Sequence, residues 1–500
     1  MDRPFCRVFT KPDSNACNHI AVGYGAARHK DISHMTADLY CIIGAGSSGL
    51  AVAKNFKTRG IPFEVLEREQ DLGGLWNIAT PSGIVYDSTH LVSAKTSTGF
   101  DDFPFPDENF PEYPSHDVVL NYFRAYAEKF GLTDHIRTGV TVEHITPRPD
   151  GTFDINIKGE PVARRYAGVV LANGHHDTPR TPHYAGGFAG DIMHSRDYKS
   201  VRQVRDKRVL VVGAGNSACD IIRDAAHGSG AKIVMSMRRG TWFVPKFLLG
   251  FPTHDVVSHV EMLPLPRAVK RFLFQASLWV LQGPPERYGL PKPAVAIDAA
   301  HPTMSDDIPR LAAHGRLIVK PEISHYEGQN VVFSDGTREA IDLIVFATGY
   351  QITFPFLDDG IAFDSTGRCR FYLNTAHEQH RNLYSAGLIQ ANGSIWRLAD
   401  YQGQIIANAI IADRLMPNVA ETFRQKQTSG VSGMPKGHFV ASERHTLEAN
   451  YFDYRAALKR AIRSFGRVRK LDFGGGRAVA IPVDVAPATP APAASPARAA

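Results

Sequence analysis

The fold is set by Asp38-Leu-Tyr-Cys-Ile-Ile43-Gly44-Ala-Gly46-Ser-Ser-Gly49. An apolar run ends at Ile43 and a glycine turn follows. Ser47 to Lys57 then places Leu50, Val52 and Phe56 at helical spacing, and Pro62 to Leu66 reads as the next strand, which makes a β-α-β unit. Gly44 permits the tight turn, Gly46 lets backbone approach a pyrophosphate, and Gly49 lets the helix pack close to the sheet. The phosphates would sit on the positive end of that helix. Glu67 closes the second strand, where a carboxylate can accept both ribose hydroxyls of an adenosine. Gly44, Gly46, Ser48, Gly49 and Glu67 are the candidate contacts of a first nucleotide.

The pattern returns at Arg208-Val-Leu-Val-Val212, Gly213-Ala-Gly215-Asn-Ser217-Ala218, a helix from Ser217 to Ala226 and a strand from Lys232 to Ser236. Ala in the third glycine position is allowed by the fingerprint. The ribose position is basic here. Arg238 and Arg239 offer fork-shaped donors that suit the 2′-phosphate of NADPH, whereas an acid would have favoured NADH. Gly213, Gly215, Asn216, Ser217, Arg238 and Arg239 are the candidate contacts of this second nucleotide. Two further loops read as cofactor-facing. Asp71-Leu-Gly73-Gly74-Leu75-Trp76 suits a loop pressed on a flat ring or a phosphate. The short apolar strand Leu343-Ile-Val-Phe346 closes with Ala347-Thr348-Gly349-Tyr350, which brings backbone close to a cofactor. Together they favour FAD in the first unit.

The expected fold is therefore α/β, with two Rossmann-like dinucleotide-binding domains and the NADPH domain inserted in the FAD domain. The expected order is an N-terminal extension (1–37), the FAD domain's first part (38–176) and the NADPH domain (177–334). The FAD domain's second part (335–465) and a disordered Ala/Pro-rich tail (466–500) follow. Within the NADPH domain, residues 242–300 read as an irregular helical insertion rich in Phe and Trp. Packing or a homodimer contact is one reading of it; an access channel or a membrane-surface contact is the other.

Composition excludes other classes. An apolar fraction of 43% and a charged fraction of 21% over 500 residues rule out a mainly disordered chain, a collagen and a small disulfide scaffold. A net charge of +6 permits an anionic cofactor but does not argue for nucleic acid. The five cysteines contain no C-x-x-C pair, against a disulfide framework, a thiol redox centre or a structural zinc; no metal is expected. A reducing cytoplasm is the simplest home. The longest apolar stretch, Phe272 to Leu281, is ten residues. A spanning helix needs about 20, so no transmembrane segment is expected.

Between the two units stands Phe188-Ala-Gly190-Asp-Ile-Met-His194-Ser-Arg-Asp-Tyr198-Lys199. It resembles the identifying motif F-x-G-x-x-x-H-x-x-x-Y/F of the flavin-containing monooxygenases. The resemblance runs from about Asp38 to about Phe465, and Arg238-Arg239-Gly-Thr-Trp242, Gly387-Leu-Ile-Gln390 and Gln402 also fit it. It implies that NADPH gives hydride to FAD and that oxygen adds to the reduced flavin as a hydroperoxide. One oxygen atom then passes to a nitrogen or sulfur of a small substrate. Related Baeyer–Villiger enzymes usually carry Trp where this chain has Tyr198, which favours N- or S-oxygenation here. Carbonyl oxidation, of Baeyer–Villiger or auxin-forming type, stays as the alternative. A flavin disulfide reductase would need paired cysteines, and a non-catalytic relic would not keep every cofactor glycine and Glu67.

One position departs from the resemblance. Tyr86-Asp-Ser88-Thr-His-Leu-Val92-Ser-Ala-Lys95 matches a family segment whose Asn falls on Val92. The side chain of Val cannot hydrogen-bond, so either Lys95, Ser93 or His90 stands in for it or the site leaks peroxide. The candidate catalytic residues are thus Lys95, Ser93 and His194. For His194 the motif leans towards a structural role between domains, and a general base is not expected. His175 and His176 read as hinge residues near the domain junction.

Overall fold

The computed structural model describes residues 38–106, 109–228, 233–299, 301–435, 447–466 and 481–483. Within them the chain builds two main sheets, of seven and five strands, and crosses between them. β1 (Tyr40–Ile43), α1 (Ser47–Arg59) and β2 (Phe63–Leu66) form the first β-α-β unit. β3 (Gly168–Leu171) lies on the other side of β1, so that Ile43 stands opposite both Leu66 and Leu171 in parallel register. The second sheet takes β4 (Asp191–His194), β5 (Val209–Val212), α2 (Asn216–Gly228) and β6 (Ile233–Ser236). Two helices of the insertion follow, α3 (Thr253–Met262) and α4 (Arg267–Gln282). β7 (Leu343–Phe346) completes the centre of the second sheet, with Val212 opposite both Ser236 and Phe346. The chain then returns to the first sheet as β8 (Leu383–Ser385), parallel to β3, and runs into the long helix α5 (Ile395–Leu415).

Both sheets are buried on both faces, which is why their strands read as unbroken apolar runs. In the first, Ile42, Val65 and Val170 face α1 and α5. Cys41, Ile43, Leu66 and Leu171 face an antiparallel meander that includes Phe153, Ile155 and Tyr166. The second repeats the plan. Val209, Val211, Met235 and Val345 pack on α2, while Leu210, Val212, Ile344 and Phe346 cover a meander that carries Ile323, Val331 and Phe333. Successive residues of each strand thus serve opposite layers.

Three expectations need correction or limits. The domain boundary at 334/335 fails, because β7, read as part of the resumed FAD domain, is hydrogen-bonded to β5 and β4 in the second sheet. A four-residue apolar run carries no information about which sheet will take it. The tail is not wholly without structure: Ile481–Val483 pairs antiparallel with Ala163–Arg165. A sheet edge offers free backbone groups to almost any sequence. The 1–37 extension and the rest of the tail lie outside the described residues.

The insertion has only a small core of its own, Val244, Leu278 and Ile297 with Trp242 and Phe274 against it. Most of the large apolar side chains exposed on the described surface belong to it. Among the described residues no helix is long and apolar enough to cross a membrane.

Candidate nucleotide sites and active-site residues

At the first turn the glycines do what their spacing demands. Gly44 has φ 101°, and a Cβ there would fall 2.7 Å from the Ala172 carbonyl oxygen just beyond β3. A Cβ on Gly49 would fall 1.9 Å from the Gly44 oxygen. The space over Gly46 is limited by the Gly74 Cα, 3.7 Å from an added Cβ, and Gly73 N–H donates to the Ala45 carbonyl at 3.0 Å. α1 starts at Gly46 with no side-chain cap and no acid in its first turn. Its first N–H groups are therefore left for an anion.

Glu67 lies beneath this turn, 5% exposed. It accepts from Ala45 N–H at 2.7 Å and from Glu69 N–H at 2.9 Å, one bond per oxygen. A carboxylate has further lone pairs to offer. Burial pushes its carboxyl above the usual range, and the two N–H groups oppose that push. The ring nitrogens of His175, in the loop after β3, are buried with no hydrogen-bond partner among the described residues. The Ser48 hydroxyl lies against Gly387, and half-buried Trp76 sets its ring edge-on to Trp396. An uncapped helix end, a bare glycine surface and a buried acid fit a dinucleotide.

Gln402, expected at a cofactor, is instead enclosed by protein. Its Oε1 accepts from Gly387 N–H at 2.8 Å, and its Nε2 donates to the Asn374 carbonyl and the Tyr454 hydroxyl, both at 3.0 Å. With both N–H groups and one lone pair of Oε1 used, it positions the Gly387 loop.

The second turn shares the backbone and differs in its surroundings. Gly213 has φ 128°, and its Cβ would fall 2.4 Å from the Ala347 oxygen. Asn216 Oδ1 accepts from Met304 N–H at 3.1 Å, Ser217 is exposed, and Gly215 is half-buried beside them. α2 again has no acid in its first turn. Arg238 and Arg239 are exposed just past β6, with no hydrogen-bond or ion-pair partner among the described residues. Ala347, Thr348 and Gly349 back this turn, not the first, which corrects their use as evidence for FAD. The Thr348 hydroxyl donates to the Arg180 carbonyl, and the Gly349 oxygen accepts from Arg180 N–H at 3.0 Å.

The catalytic candidates do not converge on a free site. Lys95 is buried, its ammonium 3.1 Å from the Phe110 carbonyl and 3.9 Å from the Glu112 carboxylate. The Ser93 hydroxyl is buried against that of Thr98 at 2.7 Å. His90 is exposed and Val92 half-buried. His194 Nδ1 accepts from Arg196 N–H, so Nε2 carries the proton and donates to the Gly349 carbonyl, both at 3.1 Å. Burial lowers its pKa. It is a neutral strut tying β4 to the loop after β7, and all three candidates make their hydrogen bonds with protein groups.

The end of the motif is a clasp between units. The Tyr198 hydroxyl donates to Asp224 at 2.9 Å, Ser88 donates to the same carboxylate, and Tyr86 donates to Asp220 at 2.9 Å. The Lys199 ammonium reaches the Gly83 carbonyl at 2.6 Å. Asp220 and Asp224 were missed in the sequence, although their four-residue spacing on one helix face was the available signal.

Two sheets with parallel centres, each with a glycine turn at the exit of a central strand, define a protein with two dinucleotide-binding units. The sequence matches the flavin-binding monooxygenase-like family over residues 37–491. It is 32% identical over 438 residues to dimethylaniline monooxygenase [N-oxide-forming] 2 of Rattus norvegicus, covering 83% of this chain and 80% of that protein. It is 30% identical over 443 residues to flavin-containing monooxygenase 2 of Homo sapiens, covering 83% and 80%. Among solved structures it resembles Tmm from Pelagibacter sp. at TM-score 0.61 and 18% identity, covering 87% of this chain and 88% of that one. Cyclohexanone monooxygenase matches at 0.61 and 16%, covering 86% and 98%. The chain belongs to the flavin-binding monooxygenase-like family. It is an oxidoreductase of the flavin-containing monooxygenase type, whose cofactors are FAD and NADPH.

Proposed function

We propose that this enzyme transfers one oxygen atom of O2 to a nitrogen or sulfur of a small organic substrate, the other leaving as water. FAD and NADPH supply the hydride transfer and oxygen activation, which no side chain can perform. The observation that carries the reading is the opposite surroundings of two like turns, buried Glu67 under the first and exposed Arg238 and Arg239, without a partner among the described residues, beside the second. On this reading the 44–49 turn, Glu67 and the 74–76 loop hold FAD, and the 213–217 turn with the two arginines holds NADPH. Thr348, Gly349 and His194 shape the second site from behind. Tyr198, Asp220 and Asp224 hold the 83–90 segment on the second unit and so keep the two sites in one geometry.

The N-oxide-forming relatives support nitrogen as an acceptor. Val92 keeps carbonyl oxidation as the second reading, because the family's Asn is missing. A panel of amines, sulfides and ketones, scored by oxygenated product and by peroxide released, tests both. Oxygenation of amines or sulfides is expected. Lactone or ester from ketones alone would replace this reading with the second.

A further inference from the structure

One buried turn is held in a conformation that its residues do not favour. Leu373 and Asn374, at the tip of the 371–377 hairpin, have φ 52° and 46° and are each 2% exposed. Asn tolerates the left-handed region, but a bulky Leu there is an outlier. Such backbone persists only where its surroundings over-determine it, and it gathers at ligand sites. Here the surroundings come from three directions. Leu373 N–H donates to the Ser432 carbonyl at 2.6 Å. The Leu373 carbonyl accepts from the Thr375 hydroxyl at 2.8 Å and from the Tyr454 hydroxyl at 2.6 Å. Tyr454 is fully buried and belongs to α6 (Tyr451–Ser464). The Asn374 carbonyl accepts from Gln402 of α5, which also donates to the Tyr454 hydroxyl, both at 3.0 Å.

The same residues reach forward to the first nucleotide turn. Gln402 Oε1 takes the Gly387 N–H at 2.8 Å, and Asn374 Nδ2 donates to the Leu388 carbonyl at 3.0 Å. On the near side, Ala386 N–H donates to the Leu171 carbonyl of β3 at 2.9 Å. Gly387 is fixed between these bonds with φ 79°, and a Cβ on it would fall 2.1 Å from the Ser48 hydroxyl oxygen. Ser48 stands in the uncapped first turn of α1, so the Gly387 loop is a wall of that turn. Leu373, Asn374, Gln402 and Tyr454 brace the wall from behind, closed to solvent.

We infer that Gln402, Tyr454 and the Leu373-Asn374 turn are positioning residues for the flavin: they press the Gly387 loop onto the first nucleotide turn and so set how firmly FAD is kept. This rests on the reading that the 44–49 turn holds FAD. The strained turn is set as the chain folds, so the wall is rigid before the cofactor arrives and its ordering is not a cost of binding. The second turn is backed differently, by Thr348 and Gly349 bonded to Arg180, and the brace therefore acts on one cofactor.

The test follows FAD leaving the holoenzyme after dilution, read by the fluorescence of free flavin, beside KM for NADPH measured with FAD in excess. Gln402→Met removes the bonds to Gly387, Asn374 and Tyr454 and should speed FAD release roughly tenfold or more. Tyr454→Phe keeps the ring, is the milder change, and should speed release about fivefold. KM for NADPH should hardly change in either. Ile411→Ala, buried on α5 outside the brace, supplies a loss of stability alone and should release FAD at the unmodified rate, with denaturation midpoints taken on every protein. Should Gln402→Met not fold, Tyr454→Phe decides alone. Release as slow from the Gln402 and Tyr454 variants as from the unmodified protein, or as fast from Ile411→Ala, would overturn the inference and leave the FAD assignment standing. Unchanged FAD release with a raised KM for NADPH would overturn the assignment of the 44–49 turn itself, and the inference with it.

Discussion

The two nucleotide turns are nearly the same object in backbone and nearly opposite in surroundings. Gly44 is backed by Ala172 as Gly213 is backed by Ala347. The sequences behind them also correspond, Ala172-Asn-Gly174-His175 after β3 and Ala347-Thr-Gly349-Tyr350 after β7. Gly174 and Gly349 have φ 75° and 82°, and a Cβ on either would meet nothing within 4 Å. What differs is the end of the next strand. After β2 it is an acid buried against the turn, and after β6 it is two exposed guanidiniums. On the proposed reading the backbone would bind a pyrophosphate in both places, and the side chains just past the next strand would select the nucleotide.

The largest effect should come from filling the first turn. Gly46→Val would put branched carbons where an added Cβ already stands 3.7 Å from the Gly74 Cα. The purified variant should carry no flavin, by its absorbance near the visible flavin bands. Full flavin with weakened NADPH would mean that the two turns have exchanged roles.

Next comes the charge at the second turn. A charged hydrogen bond is worth about 1.5–3 kcal/mol, so Arg238→Ala with Arg239→Ala should raise KM for NADPH roughly 10- to 100-fold. KM for NADH should hardly change. Equal loss with both nucleotides would leave the arginines a structural role only.

Acid should weaken the first turn more than the second. His175 and His176 stand behind the first, and burial depresses them to about 3 and about 4 from an ordinary 6.5. The folded state keeps them neutral while the unfolded state takes up protons below 6.5. Stability should therefore be complete at pH 7 and fall as pH drops from 6.5 towards 4. At the second turn Tyr350 holds the equivalent place and does not titrate in this range, but His194, bonded to the Gly349 carbonyl, is also lowered by burial, so acid should loosen both turns and the first, with two such histidines, more. Denaturation midpoints at pH 7, 6 and 5 should decline in step with flavin release. His176→Phe should flatten the decline, and an unchanged slope would place its origin elsewhere.

The smallest effect concerns Val92. One hydrogen bond is worth about 1 kcal/mol net. Val92→Asn should lower the peroxide released per NADPH consumed in the absence of substrate by roughly fivefold. Equal release from both proteins would mean that another group already protects the site.

Much of this was legible in the sequence for local reasons. A glycine turn after an apolar strand needs only a few consecutive residues to specify it, so Gly44, Gly46, Gly49, Gly213, Glu67 and the arginines fell where their spacing put them. The motif from Phe188 to Tyr198 likewise marked the seam between units. The tertiary structure alone decided what depends on partners far along the chain. It gave β7 to the second sheet, because Leu343-Ile-Val-Phe346 would suit either. It enclosed Gln402 between Gly387, Asn374 and Tyr454. It turned Lys95, Ser93 and His194 onto neighbouring protein groups, and it set Tyr198 on Asp224. A residue's type states which bonds it can make. Only the fold brings up the atom that takes them.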